Sequence, residues 1–300
     1  MTNSKAEMMK IEERLLLTSI VILVIIGLFE VIIGYYTKSI ALMADGVHSW
    51  ADTIVSALVY AGIRLSKKGP DGKFHHGYGR AETLFGLMAA MVVVAIGAIL
   101  MYESYLAFVA PSPLVYPSLA IAAVLVAGVV SFSIASFKIK LARRSTSTAL
   151  SVDAYNSLKD GAASFIVLIA LLLASFGYIS FDALGGFIVS AMILIVAYVS
   201  IKESSIVLMD GCIYGGICED IYNDVYRRIK EVPSVKRLST LKLRQIGRTI
   251  KVEAMIELDG QLSVTQAEAI TSTIKKTIME SHPEISNVIL ETSAARDAQA

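Results

Sequence analysis

Charge is scarce in this 300-residue chain. Asp, Glu, Lys and Arg make up 18% of it, and the formal net charge is +1 at pH 7. No basic stripe with interleaved aromatics appears, so a nucleic-acid partner is not expected. Cysteine is nearly absent. The two that occur, Cys212 and Cys218, have a C-x5-C spacing that fits no common zinc motif. They are expected to be reduced cytosolic thiols. There is no HExxH, GxSxG or Cys/His arrangement, so nothing supports an intramembrane hydrolase. The first apolar run follows a charged KIEER segment and lacks a short core with a small-residue cleavage site. It is expected to be a retained span and not a signal peptide.

Apolar residues are abundant. They form 55% of the chain, above the roughly 45–50% of a soluble domain, and the excess lies between Leu15 and Leu208. Six stretches, near 12–36, 40–66, 80–108, 115–140, 147–175 and 180–208, are each long enough to cross ~30 Å of hydrocarbon. Pro111 and Pro113 mark the turn between the third and fourth. Basic residues cluster on one side. Lys5, Lys10 and Arg14 precede span one, and Arg64, Lys67, Lys68, Lys73 and Arg80 separate spans two and three. Lys138, Lys140, Arg143 and Arg144 separate four and five, whereas the opposite loops hold little beyond Lys38. The positive-inside rule predicts a multi-pass protein of the cell (inner) membrane with both termini cytoplasmic.

Two pairs of polar residues interrupt this apolar background. His48 and Asp52 lie in ALMADGVHSWADTIVSALVYAGI, and Asn156 and Asp160 in LSVDAYNSLKDGAASFIVLIALLLA. Each pair is spaced i, i+4 and shares one helix face, so two such helices can meet as a four-ligand cluster. Ionisable groups at bilayer depth are costly and mark ion pathways by default. A lone histidine on an apolar helix is ordinarily a hydrogen-bonded core residue, but two matched pairs are hard to retain for packing alone. Two aspartates neutralise a dication, and His48 and Asn156 complete its shell. Asp45, one turn before His48, is expected behind the ligands or along the pathway. Asp45 and Asp153 also fit as interfacial groups near helix ends. Glu30 and Glu103 are expected to face an outer vestibule or a polar neighbour, and Lys159 points off the ligand face.

Beyond residue 212 the pattern changes to that of a soluble fold. Helices are expected over 219–231 and from Ser263, as N-cap, through Met279. Strands are expected at 235–246 and 249–258, joined around Gly247, and at 287–292. The fold class is therefore a membrane all-α six-helix transmembrane domain (1–211) plus a small cytoplasmic α+β domain of order α-β-β-α-β (212–293), ferredoxin-like or metallochaperone-like, with a flexible tail over 294–300.

ALMADGVHSWAD, the loop ending HGYGRAE, DAYNSLKDG and the α-β-β-α-β tail together resemble the cation diffusion facilitator family over nearly the whole chain. DAYNSLKDG is also similar to the wording of magnetosome-associated members. The resemblance implies a homodimer in the lipid bilayer that exports zinc, iron(II) or manganese, commonly in exchange for protons, without an organic cofactor. The family's transport quartet falls on His48, Asp52, Asn156 and Asp160. Many zinc-exporting relatives carry histidine where this chain has Asn156. An amide oxygen is the harder ligand and weakens zinc relative to manganese or iron(II), although zinc stays open. An imidazole ligand such as His48 exchanges its proton for a metal ion, which would couple metal and proton fluxes.

In the loop after span two, relatives carry an Asp and two His as a weaker metal site. Asp71 matches, Phe74 and Tyr78 replace the histidines, and His75 and His76 are the substitutes to consider. Arg80 and Asp210 match the family's charge interlock between span three and the end of span six. In the tail, Ser239, Met255, Glu291 and Ser293 stand at the family's regulatory ligand positions and make a poor site. Any sensing there would need Glu253, Glu291 or His282, and a dimerisation domain without metal is favoured. The alternative to transport is a metal-binding membrane scaffold or assembly protein on the same fold with little or no flux.

Overall fold

The computed structural model describes residues 2–145, 148–213, 217–247 and 249–295. Six long helices come first: α1 (Thr2–Thr37), α2 (Ile40–Ser66), α3 (Ala81–Val109), α4 (Pro117–Ser145), α5 (Thr148–Ser175) and α6 (Ser180–Leu208). Three segments, Ala81–Val109, Pro117–Leu141 and Ser180–Leu208, are long and apolar enough on their own to cross a membrane, and shorter apolar stretches occupy Val21–Thr37 and Asp160–Ser175. Helix α2 carries Asp45, His48 and Asp52 inside its apolar run. Branched apolar side chains such as Ile25, Ile99, Val129 and Ile195 are 60% exposed or more. Water would penalise such surfaces, and lipid does not.

The chain divides into two compact units: residues up to Leu58 with Ala89–Val199, and Val59–Met88 with Ser200 onward. In the first, the core is built from small and branched residues, including Ala41, Leu42, Ala44, Val93, Val124, Val167, Leu171 and Ile193. Small residues allow close helix approach, as at Gly97, where an added Cβ would meet Leu194 Cδ2 at 3.0 Å.

The second unit holds the C-terminal α+β fold: α7 (Ile217–Lys230), β1 (Val235–Ile246), β2 (Thr249–Leu258), α8 (Val264–Ser281) and β3 (Ile285–Ala294). The strand order is β1-β2-β3, antiparallel between the first two and parallel between β2 and β3. In β2, Ile250, Val252, Ala254, Ile256 and Leu258 are buried and the residues between them are not, the period-two pattern of a sheet covered on one face. Ile221, Val225 and Ile229 of α7 and Ile274 and Ile278 of α8 complete that core. Gly247 makes the β1–β2 turn at φ +58°, a conformation glycine adopts without penalty. Ser263 caps α8 in a capping box: its hydroxyl accepts the Gln266 N–H at 3.3 Å, and the Gln266 side chain accepts the Ser263 N–H at 2.9 Å.

Two expectations require correction. Cys212 and Cys218 are joined in a disulfide, not free thiols. Their Cα atoms stand 6.1 Å apart, inside the range a bridge spans, a proximity that C-x5-C spacing does not reveal. Ala294, expected as the first residue of the tail, instead closes β3 in register with Leu258. Residues 296–300 lie outside the described residues.

Candidate metal site

Helix periodicity places His48 and Asp52 on one face of α2, and α5 brings Asp160 against them. His48 Nε2 lies 4.0 Å from Asp160 Oδ1. Donor atoms of His48, Asp52 and Asp160 all fall within 4.8 Å of one another. Among the described residues no other three His, Cys, Asp or Glu side chains bring donor atoms this close. His48 and Asp160 are half-buried and Asp52 is accessible, so the cluster has a closed side and an open side. Around a four-coordinate ion with bonds of about 2.0–2.1 Å, donors sit roughly 3.3 Å apart. Small side-chain rotations would close the cluster onto a dication. Asn156 stands one turn before Asp160 on α5. Its side chain lies outside the described residues, as do those of Asp153 and Lys159.

Several groups position this cluster. Asp182 of α6 binds the start of α2: Ser39 donates its hydroxyl to Oδ1 at 2.6 Å, and the Ile40 and Ala41 N–H groups donate to the carboxylate at 2.8 and 3.4 Å. Leu42 N–H donates to Ser39 Oγ at 3.1 Å. The amides orphaned at the start of α2 are thus satisfied within the protein. Asp45 is buried, as is Glu30 of α1, while Glu103 is exposed. Lys138 of α4 is buried at 1% exposure and acts electrostatically on Asp160. Sequence reasoning counted Lys138 among loop cations. The signal missed was that α4 continues to Ser145, which places Lys138 inside the helix. The Asp182 clamp was also missed, although an acid in the first turn of α6 was visible.

The loop before α3 assembles differently from the expected weak site. Asp71 Oδ1 accepts the Lys73 and Phe74 N–H groups at 3.0 and 2.9 Å, while Oδ2 accepts the Tyr78 hydroxyl at 2.8 Å and pairs with Lys68 Nζ at 3.0 Å. These bonds, the Tyr78 hydroxyl foremost, hold the Asp71 carboxyl well below the usual carboxylate range. Its lone pairs are engaged in a local turn, and it forms no three-member metal cluster with His75 and His76.

Arg80 pairs with Asp210 and donates to the Leu208 carbonyl at 3.2 Å. The pairing extends further than sequence suggested. Arg244 of β1 reaches Asp210 at 3.6 Å and Glu253 of β2 at 3.0 Å. Gln245 N–H donates to the Gly211 carbonyl at 3.3 Å. A Cβ at Gly247 would stand 3.0 Å from the Gly79 carbonyl oxygen, so the β1–β2 turn and the loop before α3 approach backbone to backbone.

Of the residues considered for a metal site in the tail, Glu253, Ser239 and His282 have other side-chain partners. Glu253 holds Arg244, and Ser239 donates to Glu257 at 2.7 Å. Met255 and Glu291 are strand neighbours, and Ser293 is paired with Glu257 across β2 and β3. His282 Nε2 lies 2.8 Å from Asp224, which also binds Arg227 and Arg228.

Comparison with known proteins places these features. A family profile described as the cation efflux transmembrane domain matches residues 16–209, and one described as the cation efflux protein cytoplasmic domain matches residues 218–292. The chain is 30% identical over 272 residues to the manganese efflux system protein MneS of Bacillus subtilis, covering 89% of this chain and 90% of that one. It is 27% identical over 295 residues to MneP of the same organism, covering 96% and 98%. Among solved structures, the metal-bound C-terminal domain of the CzcD transporter from Thermotoga maritima aligns at 25% identity, covering 28% of this chain and 99% of that one, with a TM-score of 0.26.

Proposed function

This chain belongs to the cation efflux family, whose members are metal transporters and not enzymes, and on that premise we propose that it exports a divalent transition metal, manganese above zinc, in exchange for protons. The observation that carries the reading is the convergence of His48, Asp52 and Asp160 from two apolar helices. Asn156 supplies the fourth donor. With two carboxylates and an amide oxygen against one imidazole, the donor set is hard, which narrows zinc's usual advantage. The curated relatives named as manganese efflux proteins support the same cargo.

All six helices span the bilayer in this reading. The basic residues from Arg64 to Arg80 face the cytoplasm, together with both termini and the α+β domain. Asp52, nearer the cytoplasmic end of α2 than His48, meets the ion first. Two such chains form a homodimer, with the α+β domain as the dimerisation element, in keeping with its match to the family's cytoplasmic domain. Transport proceeds by alternating access around the α2–α5 site.

The test is flux into proteoliposomes carrying an internal manganese indicator and an imposed pH gradient. Wild-type protein should accumulate manganese with the gradient and little without it. Retained flux in both Asp52→Ala and Asp160→Ala would remove the site assignment, and flux of zinc but not manganese would remove the cargo assignment.

A further inference from the structure

A second buried group of acids lies one turn from the metal cluster. Glu30 of α1 and Asp45 of α2 are 1% and 3% exposed. Their carboxyl groups contact each other within hydrogen-bonding reach. Each keeps one fully buried oxygen, Glu30 Oε1 and Asp45 Oδ2, to which no N–H or O–H group among the described residues donates. The helices are pressed together at this level. A Cβ at Gly46 would stand 2.7 Å from the Gly27 carbonyl oxygen and 2.9 Å from Glu30 Cβ, and one at Gly27 would stand 3.0 Å from the Gly46 carbonyl oxygen. Helices α1 and α2 are therefore held backbone to backbone beside the two acids.

Two carboxylates held in contact in a low-dielectric interior resist double ionisation unless a cation stands nearby. A hydrogen bond between them requires one proton, because an ionised carboxylate only accepts.

We propose that Glu30 and Asp45 form a proton-binding pair that carries a counter-ion of the exchange, protonated while the His48–Asp52–Asp160 site is empty and deprotonated when a dication occupies it. The proposal rests on the reading of that triad as the transport site. The electrostatic link is direct. Asp45 acts on Asp160 through space, and the Ser164 hydroxyl of α5 touches Asp45 while lying 3.3 Å from the Asp160 carbonyl. His48 on α2 and Asp160 on α5 interact with Asp45 through space, and Asp52 on α2 and Lys138 on α4 act in turn on Asp160. Asp182 of α6 is engaged by the start of α2, and Glu103 of α3 is exposed. With the triad empty, its two carboxylates disfavour a second negative charge on the pair. Arrival of a dication removes that penalty, one proton leaves the pair for water, and the pair changes from one negative charge to two. By linkage, protonating the pair weakens metal binding by the same factor.

The experiment uses the full-length protein, with manganese(II) as the probe, and compares wild type with Glu30→Gln and Asp45→Asn. Infrared difference spectra should show the C=O band of a protonated carboxyl disappearing on manganese binding in wild type and absent from both variants. Calorimetric manganese affinity should rise with pH in wild type, by about tenfold per unit for each displaced proton, and the slope should fall by about one proton in either variant. Unchanged band and slope in a folded variant would overturn the proposal. A loss of one bound manganese per chain in Glu30→Gln would overturn it in favour of a second metal site. If Glu30→Gln does not fold, Asp45→Asn and the wild-type spectrum decide the matter. Failure of the underlying reading is separately visible, because Asp160→Ala would then bind manganese normally.

Discussion

The imidazole Nε2 of His48 stands 4.0 Å from the Asp160 carboxylate, too far for a hydrogen bond and close enough for one cation to bridge. Helices α2 and α5 thus present donors to each other across a gap the size of an ion. An interaction satisfied by the two side chains alone would have closed to about 2.8 Å.

Removing a carboxylate from this gap should be severe. Asp52→Ala and Asp160→Ala are each expected to weaken manganese binding by on the order of 100-fold or more, since even groups behind metal ligands are worth about 10–100-fold. Calorimetry on purified protein measures this, with the elution profile of the folded protein as control.

Asn156→His should change preference more than strength. Imidazole is the softer donor, so the zinc-to-manganese affinity ratio should rise about tenfold or more. Competition titrations of the two ions give the ratio, and an unchanged value would show that position 156 does not touch the ion.

Asp182→Ala leaves the Ser39 hydroxyl and the Ile40 and Ala41 amides without their acceptor. A buried donor left unsatisfied costs about 1–3 kcal/mol, so a lower melting temperature and reduced flux are expected. Asp182→Asn keeps an acceptor oxygen and should be milder. Thermal melts of both variants in the same detergent make the comparison.

Acid should weaken the C-terminal domain through Asp224. Arg228 foremost, then His282 and Arg227, hold its carboxyl below the usual carboxylate range. A folded value lower than the unfolded one, about 3.9, means the stabilisation is complete above that pH and disappears as pH falls further. Asp224→Asn should flatten the loss of stability below about pH 4, measured by tryptophan-independent circular dichroism melts.

Asp210→Ala removes one partner from both Arg80 and Arg244, which keep the Leu208 carbonyl and Glu253. The carboxylate is half exposed, so the stability loss should stay under about 1 kcal/mol. Chemical denaturation monitored in full-length protein would detect a larger effect.

Much of the fold was legible. Helix ends at 40–66 and 180–208 and strands at 235–246 and 249–258 follow from apolar runs, alternation and the Gly247 turn. Ser263 as a cap follows from local chemistry alone. What escaped depends on partners distant in sequence. Asp182 reaches the start of α2 from α6, and Arg244 joins Asp210 from a strand whose alternation gave it no special status. Cys212 and Cys218 are near each other in sequence, but a bridge depends on how the chain turns between α6 and α7. For Asp71 the reverse held. A motif position suggested a ligand, and short-range turn bonds claimed its oxygens instead.

The clamp on α2 sets how that helix can move. Pinned at Ile40, α2 behaves as a lever whose arm lengthens by about 1.5 Å per residue, so His48 sits roughly 12 Å and Asp52 roughly 18 Å from the fulcrum. A tilt that shifts His48 by one unit of travel swings Asp52 by half as much again. Pivoting at one end would therefore pry the two donors away from Asp160 unequally, loosening the grip from the Asp52 side first.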